Sequence, residues 1–583
     1  MPGSCPRRPD RPSWAGRPAS PTRPWPTAPP DPSGADSDCD DGGACRDHRA
    51  VLLPASAVAR RERTVTAAAA APGRDRHAVF VPPPPGATRV GGRARSTAVV
   101  GGGIAGLAAA TALAERGVDV TLYEREAYLG GRVGGWATAL SDGTTATMSR
   151  GFHAFFRQYY NLRSLLSRTD SPQGRLTGLP DYPLRHRDGL HDSFRRVPRT
   201  PPLSALGFVA LSPSFRWRDL VRMRPAAALP LLDVRVPDVY DRLDDVSAHD
   251  FLESLRFPPA ARHLAFEVFS RSFFADPRDL SAAEMVLMFH IYFLGSSEGL
   301  LFDVPDDPFP TALWDPLAKH LTRHGVDLRL STSVENVSPT TDGAFTVATD
   351  REERRYDTVV LALDTGGLRS LVGRSPRLAD AAWRDRIGRL RTAPPFLVSR
   401  LWLDRPVDAG RPGFLGTAGY GSLDNVSVLE RWEQEAARRS ARTGGSVVEL
   451  HGYALPENAD PDAEARHLIA QLRTVYPETR DARVLDARHE WRRDCPLFPV
   501  GGYRDRPGVR TPQPGLVLAG DLVRTDLPVA LMERAATSGF LAANALLQSW
   551  AVRGHPLWTV PNGGRNRLLR ALAGGRARAR ARS

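Results

Sequence analysis

Lysine is nearly missing from this chain: Lys319 stands alone among 78 Lys and Arg residues, set against 65 acidic ones for a net charge of +13. A charge of that sign would suit a polyanion, but no nucleic-acid-binding motif accompanies it. The uniform choice of arginine reads as codon usage, and no nucleic-acid partner is expected. Cysteine is scarce as well. Cys5, Cys39, Cys45 and Cys495 have no metal-ligand spacing, and three of them crowd the irregular N-terminal region. That excludes a disulfide framework, and no metal site is expected. Long apolar runs are also absent. The best, Met285 to Ser297, is interrupted by His290 and stops at Glu298, short of the roughly 20 residues a spanning helix needs. The stretch Ala50 to Ala59 has the look of a weak signal core, but it is internal and holds Pro54. A cytoplasmic protein with at most peripheral membrane contact is expected.

What is present is a mixed α/β pattern between two biased ends. Residues 1–95 are dense in Pro, Arg, Ala and Gly, with Pro82 to Pro85 favouring extended backbone, and are expected to be a disordered tail. Residues 551–583 are expected to form a basic tail, arginine-rich from Arg565 onward, with Leu568, Leu569 and Leu572 as a narrow apolar stripe. Between them, Thr97 to Val100 reads as a strand, Ile104 to Arg116 as an alanine-rich helix stopped by Gly117, and Val118 to Tyr123 as a second strand. Ser247 with Asp250 forms a capping box for a helix carrying Phe251, Leu252 and Leu255. Helices are also expected over Ala260 to Phe269, Ser281 to Phe293 and Asp462 to Tyr476, and strands at Val326 to Leu330, Thr358 to Leu363, Phe396 to Leu403, Val447 to Leu450 and Leu516 to Ala519.

The first strand runs into Gly101, Gly103 and Gly106, a G-x-G-x-x-G turn that opens the helix. The first glycine makes the tight turn, the second lets backbone approach a pyrophosphate, and the third lets helix and strand pack closely. Unpaired N–H groups and the helix dipole favour the phosphate charge. Glu124 ends the second strand, where a carboxylate accepts hydrogen bonds from ribose hydroxyls. Strand, fingerprint, helix, stop, strand and carboxylate arrive in order, which marks a dinucleotide-binding unit. No second glycine fingerprint follows a strand.

Gly130, Gly131 and Arg132 follow Glu124 closely, and GLVLAGD near the other end runs as a strand into Gly520 and Asp521 before a helix. This set resembles the flavin amine oxidase and carotenoid desaturase superfamily. The resemblance implies a Rossmann-type FAD-binding domain interleaved with an α+β substrate domain built on an antiparallel sheet: 96–170, 310–375 and 480–550 for the former, 171–309 and 376–479 for the latter. It also implies that Gly130, Gly131 and Arg132 lie near the pyrophosphate and the backbone of Val334 near adenine. Asp521, after Gly520, would hold the ribityl or phosphate region, and the helix start around Met532 the pyrimidine end of the flavin. The segments MSRGFHAFFRQYYNLR and FFADPRDLSAAEMVLMFHIYFLGSSEGLLFDVPDDPF resemble, more narrowly, the carotenoid φ-ring synthase (isorenieratene synthase) family, with likeness from about Ser96 to Leu547.

That family implies a lipophilic β-ring carotenoid as substrate, two two-electron oxidations per ring and a methyl shift. Phe152, Phe155, Phe156, Tyr159, Phe289, Tyr292 and Phe293 are candidate walls of a dry tunnel, or else ordinary core. His153 and His290 are candidate proton acceptors, or hydrogen-bonded structural histidines. Arg150 and Arg157 either orient the flavin or sit in ion pairs. Leu203 to Leu232, with Leu206, Phe208, Val209, Leu211, Phe215, Trp217 and Leu220 among Arg216, Arg218, Arg222 and Arg224, reads either as a membrane-facing patch or as a helix pair closing the substrate lobe. A chain desaturase and an FAD-dependent carotenoid isomerase or binding protein are the nearby alternatives. An amine oxidase is disfavoured, since Lys319 falls on a solvated helix face away from the flavin motifs.

Overall fold

The computed structural model describes residues 75–169, 175–215, 218, 231, 233–256 and 274–565. The expected helix over 260–269, the cysteines before 74, the final arginine run from 566 and most of the second half of the 203–232 patch lie outside these residues.

At the centre is a five-stranded sheet of β1 (Ser96–Val100), β2 (Asp119–Tyr123), β3 (Asp327–Arg329), β4 (Thr358–Leu361) and β5 (Leu516–Leu518), in the order β3-β2-β1-β4-β5 with every pair parallel. Strand order reverses between β1 and β4, which leaves a crevice beyond their carboxyl ends, the place where doubly wound sheets bind ligands. Helix α1 (Ile104–Ala114) is buried along its whole length. Its alanines explain how. They let the long helix α2 (Leu531–Ser549) approach so closely that a Cβ on Gly539 would stand 2.3 Å from the Ala105 carbonyl oxygen.

The substrate-side sheet has seven strands, in the order 484–492, 396–403, 447–452, 425–428, 414–418, 184–186 and 191–192. All neighbours are antiparallel except 414–418 with 184–186, which run parallel. Phe396–Leu403 is buried at every position because it is paired on both edges and covered on both faces. The helix Ala248–Leu255 begins as expected, with the Asp250 N–H donating to Ser247 Oγ at 3.0 Å.

Three expectations are corrected. Val484–Arg492 pairs with Phe396–Leu403 throughout its length, so it is part of the antiparallel sheet and not of the dinucleotide-binding domain. Residues 75–95, expected in the disordered tail, and 551–565, expected in the basic tail, are structured: Val79–Val81 pairs antiparallel with Leu557–Thr559. The extended backbone that the proline run favours lies beside the chain after α2, where Gly554 N–H donates to the Pro84 carbonyl and Ala87 exchanges hydrogen bonds with Ala551 and Arg553. Composition flagged these segments as unable to build a core of their own. They need none: the C-terminal segment buries Val552, Leu557 and Val560 against the main body, and the N-terminal one is held by backbone pairing, with Val79 and Phe80 left exposed.

Candidate active site

One cavity of about 600 Å³ runs from the carboxyl ends of β1 and β4 into the substrate lobe. At its nucleotide end the glycines divide their work. Gly101 has φ of 110°, and a Cβ there would stand 2.4 Å from the Ala362 carbonyl oxygen; one on Gly106 would stand 1.9 Å from the Gly101 oxygen. Both are demanded by packing, and Gly106 lies behind the cavity wall. Gly103 differs: its Cβ would meet nothing closer than Gly131 Cα at 3.9 Å, and it faces the cavity. The protein does not need Gly103 for itself. The space it leaves suits a ligand pressed against the backbone.

Glu124 accepts hydrogen bonds from the N–H groups of Gly102 at 2.7 Å and Glu126 at 2.9 Å, which aims its carboxylate into the same cavity. Burial raises its pKa, and the two amides oppose that rise. Gly130 and Gly131 bring a second turn onto the first: Gly130 N–H donates to the Gly102 carbonyl at 2.9 Å, with φ of 98° and 58° at the two glycines. Arg132 Nη2 lies 2.6 Å from Asp521 Oδ1. Burial opposes the guanidinium charge, but the Asp521 carboxylate outweighs it and holds the pKa above its ordinary value. Val334, Gly520 and Met532 complete this end. Residues scattered from Gly101 to Met532 thus border one space, an acid and an arginine at either side of a glycine-lined turn.

The other end is aromatic. Phe152, Phe156, Tyr159 and Tyr292 line it, joined by Tyr182, Phe302, Phe414 and Tyr453. Phe155, Phe289 and Phe293 do not: Phe155 packs near Phe309 in the core, and Phe289 stacks on Phe293 at 4.9 Å. His153 borders the cavity with Nδ1 2.8 Å from the Gly151 oxygen, and burial lowers its pKa to about 4, so it is neutral. His290 is elsewhere. Fully buried, it places Nε2 2.8 Å from the Pro561 oxygen and is not brought to the cavity. Arg150 reaches the cavity paired with Asp494, whereas Arg157 pairs with Asp303 at 3.1 Å outside it. Cys495, its thiol pushed up to about 12 by burial, also faces the cavity.

Sequence reasoning missed the polar residues of this lobe, Asp424, Asn425, His451 and Tyr453. A signal was there: in VVELHGY, Glu449, His451 and Tyr453 alternate with apolar or small residues, so they share one face of a strand and its continuation.

Residues 104–547 match the family of flavin-containing amine oxidoreductases. The chain is 70% identical over 501 residues to the carotenoid φ-ring synthase of Streptomyces griseus, a likeness spanning 86% of this chain and 97% of that one. The chain belongs to the carotenoid φ-ring synthase family. Like other flavin-containing amine oxidoreductases it is a flavoprotein oxidoreductase, and its cofactor is FAD. The φ-ring synthase of Chlorobaculum tepidum is 27% identical, with 81% of this chain and 91% of that one covered. A solved putrescine oxidase shares the fold at a TM-score of 0.59 and 17% identity, over 78% of this chain and 99% of that one. No helix among the described residues of this φ-ring synthase family member is long and apolar enough to cross a membrane.

Proposed function

We propose that this protein oxidises the β-ring of a carotenoid such as β-carotene to an aromatic ring, with migration of one methyl group. One observation carries this reading: the nucleotide end and the aromatic end belong to a single cavity, so a ring held among Phe152, Phe156 and Tyr292 lies in the same space as the flavin. Gly101 and Gly103 would present backbone to the pyrophosphate, Glu124 would take the ribose hydroxyls, and the Gly130–Gly131 turn would hold the phosphates. Arg132 and Asp521 would hold the phosphate and ribityl region, with Gly520 beside them, the backbone of Val334 would meet adenine, and the α2 start at Met532 would meet the pyrimidine end. Bound FAD supplies a two-electron acceptor for hydride from an unactivated ring carbon. The aromatic walls hold the ring, exclude water that would add to a ring cation, and present π-faces to its positive charge.

The substrate is lipid-borne, and peripheral membrane contact from the cytoplasmic side belongs to the same proposal. The helix Leu203–Leu211 supports it. Phe208 and Ser204 turn inward, while Leu203, Leu206 and Leu211 are 55%, 62% and 55% exposed, an outward apolar set on a short helix. Electrons leave the flavin for a diffusible oxygen or quinone acceptor. The test is expression in a bacterial host that accumulates β-carotene, followed by chromatography and mass measurement. Pigment that has lost four hydrogens per ring at unchanged carbon count is the expected product. An untouched β-carotene pool, with conversion of an acyclic precursor in a second host, would replace ring aromatisation by chain desaturation.

A further inference from the structure

The cavity's aromatic end holds a hydrogen-bonded chain with a defined direction. Arg400 Nε and Nη2 donate to Glu449 Oε2 at 3.0 and 2.7 Å. Glu449 Oε1 lies 2.9 Å from His451 Nε2, and His451 Nδ1 lies 2.7 Å from the Tyr453 hydroxyl, which also accepts from Asn425 Nδ2 at 2.9 Å. Arg400 and His451 outweigh burial and hold the Glu449 carboxyl down at about 2. An ionised carboxylate only accepts, so Nε2 carries the imidazole hydrogen and Nδ1 is left as an acceptor. The Phe152 N–H, at 3.3 Å from Nε2, is the longer and weaker competitor. Because Asn425 donates to the phenol oxygen, the phenol hydrogen points at Nδ1. Glu449 and His451 are 0% and 1% exposed, whereas Tyr453 is partly exposed and borders the cavity. Carboxylate, imidazole and hydroxyl thus stand in the order that turns a neutral hydroxyl into a proton relay.

We propose that Tyr453 is the catalytic proton acceptor of ring aromatisation, with His451 and Glu449 as its positioning residues. The inference rests on the ring-oxidation reading above. Once hydride has passed to the flavin and the methyl group has moved, a ring C–H next to the cationic carbon breaks and its electron pair becomes a ring double bond. The proton goes to the Tyr453 oxygen as the phenol hydrogen passes to His451 Nδ1. Ring cation and neutral imidazole become neutral ring and imidazolium, which Glu449 stabilises. Each ring releases two protons, so the relay must empty between steps. Behind it a cavity of about 30 Å³, room for a water, is lined by Glu449, His153 and Glu433, and burial pushes the Glu433 carboxyl up to about 7, fit to take a proton at neutral pH.

The experiment uses the FAD-loaded protein, β-carotene as substrate and the variants Tyr453→Phe and His451→Gln, each first checked for flavin content. Flavin bleaching under anaerobic single turnover, which reads the first hydride transfer alone, should stay within about threefold of the parent, while aromatised pigment, formed in multiple turnover with oxygen or a quinone present to reoxidise the flavin between the two oxidations, falls by roughly a hundredfold in the Phe variant, the scale of a lost general base. The Gln variant should show the same split. Aromatic pigment at the parental rate in Tyr453→Phe, or equal loss of bleaching and pigment in both variants, overturns the relay and leaves the ring-oxidation reading standing. A parent protein that β-carotene does not bleach fails at the earlier reading, and the relay falls with it.

Discussion

Two glycines of one fingerprint separate folding from function. Gly106 has no room for a methyl group against the Gly101 oxygen at 1.9 Å, whereas Gly103, with φ of −75° and nothing nearer than 3.9 Å, tolerates one. Gly106→Ala is expected to destabilise the protein by about 1–3 kcal/mol or more through overpacking. On the proposed placement of the pyrophosphate, Gly103→Ala should melt near the temperature of the flavin-stripped parent yet purify without flavin, because its methyl would take the pyrophosphate's place; visible absorbance together with a thermal melt distinguishes the two. Glu284 gives a second residue-scale case. It is buried between Arg506 and Arg534, with Arg534 Nη2 at 2.9 Å. Burial would raise its carboxyl, but Arg534 and Arg506 win and bring it from 4.5 to about 2. A pKa depressed on folding contributes stability that is present above the unfolded value and is lost as pH falls from 4.5 through about 2. Denaturant titrations should therefore show stability dropping across that window. Glu284→Gln, which leaves two buried guanidinium groups facing each other, should cost about 3–5 kcal/mol at neutral pH and flatten the acid limb.

Among the elements, the pairing of Val79–Val81 with Leu557–Thr559 joins the two ends of the described fold, reinforced by Phe80 against Trp558 at 5.0 Å and by Arg565 on Asp75. A chain begun at Ser96, where the fingerprint strand starts, would strip this strand and the contacts that cover Val552 and Leu557. From those two side chains alone the loss should be roughly 3 kcal/mol, read as a lower denaturation midpoint with the dinucleotide-binding sheet itself intact. Helix α2 links the parts of the site: its start at Met532 borders the cavity, Gly539 locks it to α1, and Arg534 ties it through Glu284 to the helix Ala282–Phe289. That a strand runs into Gly520 and Asp521 and a helix follows was legible in GLVLAGD and the residues after it. The helix's ion pair with Glu284 was not, since the partners stand some 250 positions apart.

For the whole molecule the question is how a nucleotide-binding fold would meet the lipid-borne substrate proposed above. On the proposed membrane contact through the exposed leucines of Leu203–Leu211, Leu206→Asp should weaken sedimentation with anionic vesicles about tenfold or more, from the burial worth of one leucine. Its flavin content should not change. An undiminished sedimentation would assign the membrane contact to another surface.

Much of this protein was determined by local sequence. A glycine turn between two apolar strands, a carboxylate at the second strand's end and a distant Gly-Asp before a helix specify a dinucleotide fold, because backbone turns and helix termini are built from neighbours in the chain. The aromatic segments foretold an apolar wall, but not which rings face it: Phe152 and Phe156 do, Phe155 does not. Tertiary structure alone decided the rest. It sent His290 to the Pro561 carbonyl, gave 484–492 to the antiparallel sheet and folded the proline-rich segment against the far end of the chain. It also set Arg400, Glu449, His451 and Tyr453 in line. Which side chains meet across two strands depends on register, and register is fixed by long-range pairing and burial that no stretch of neighbouring residues encodes.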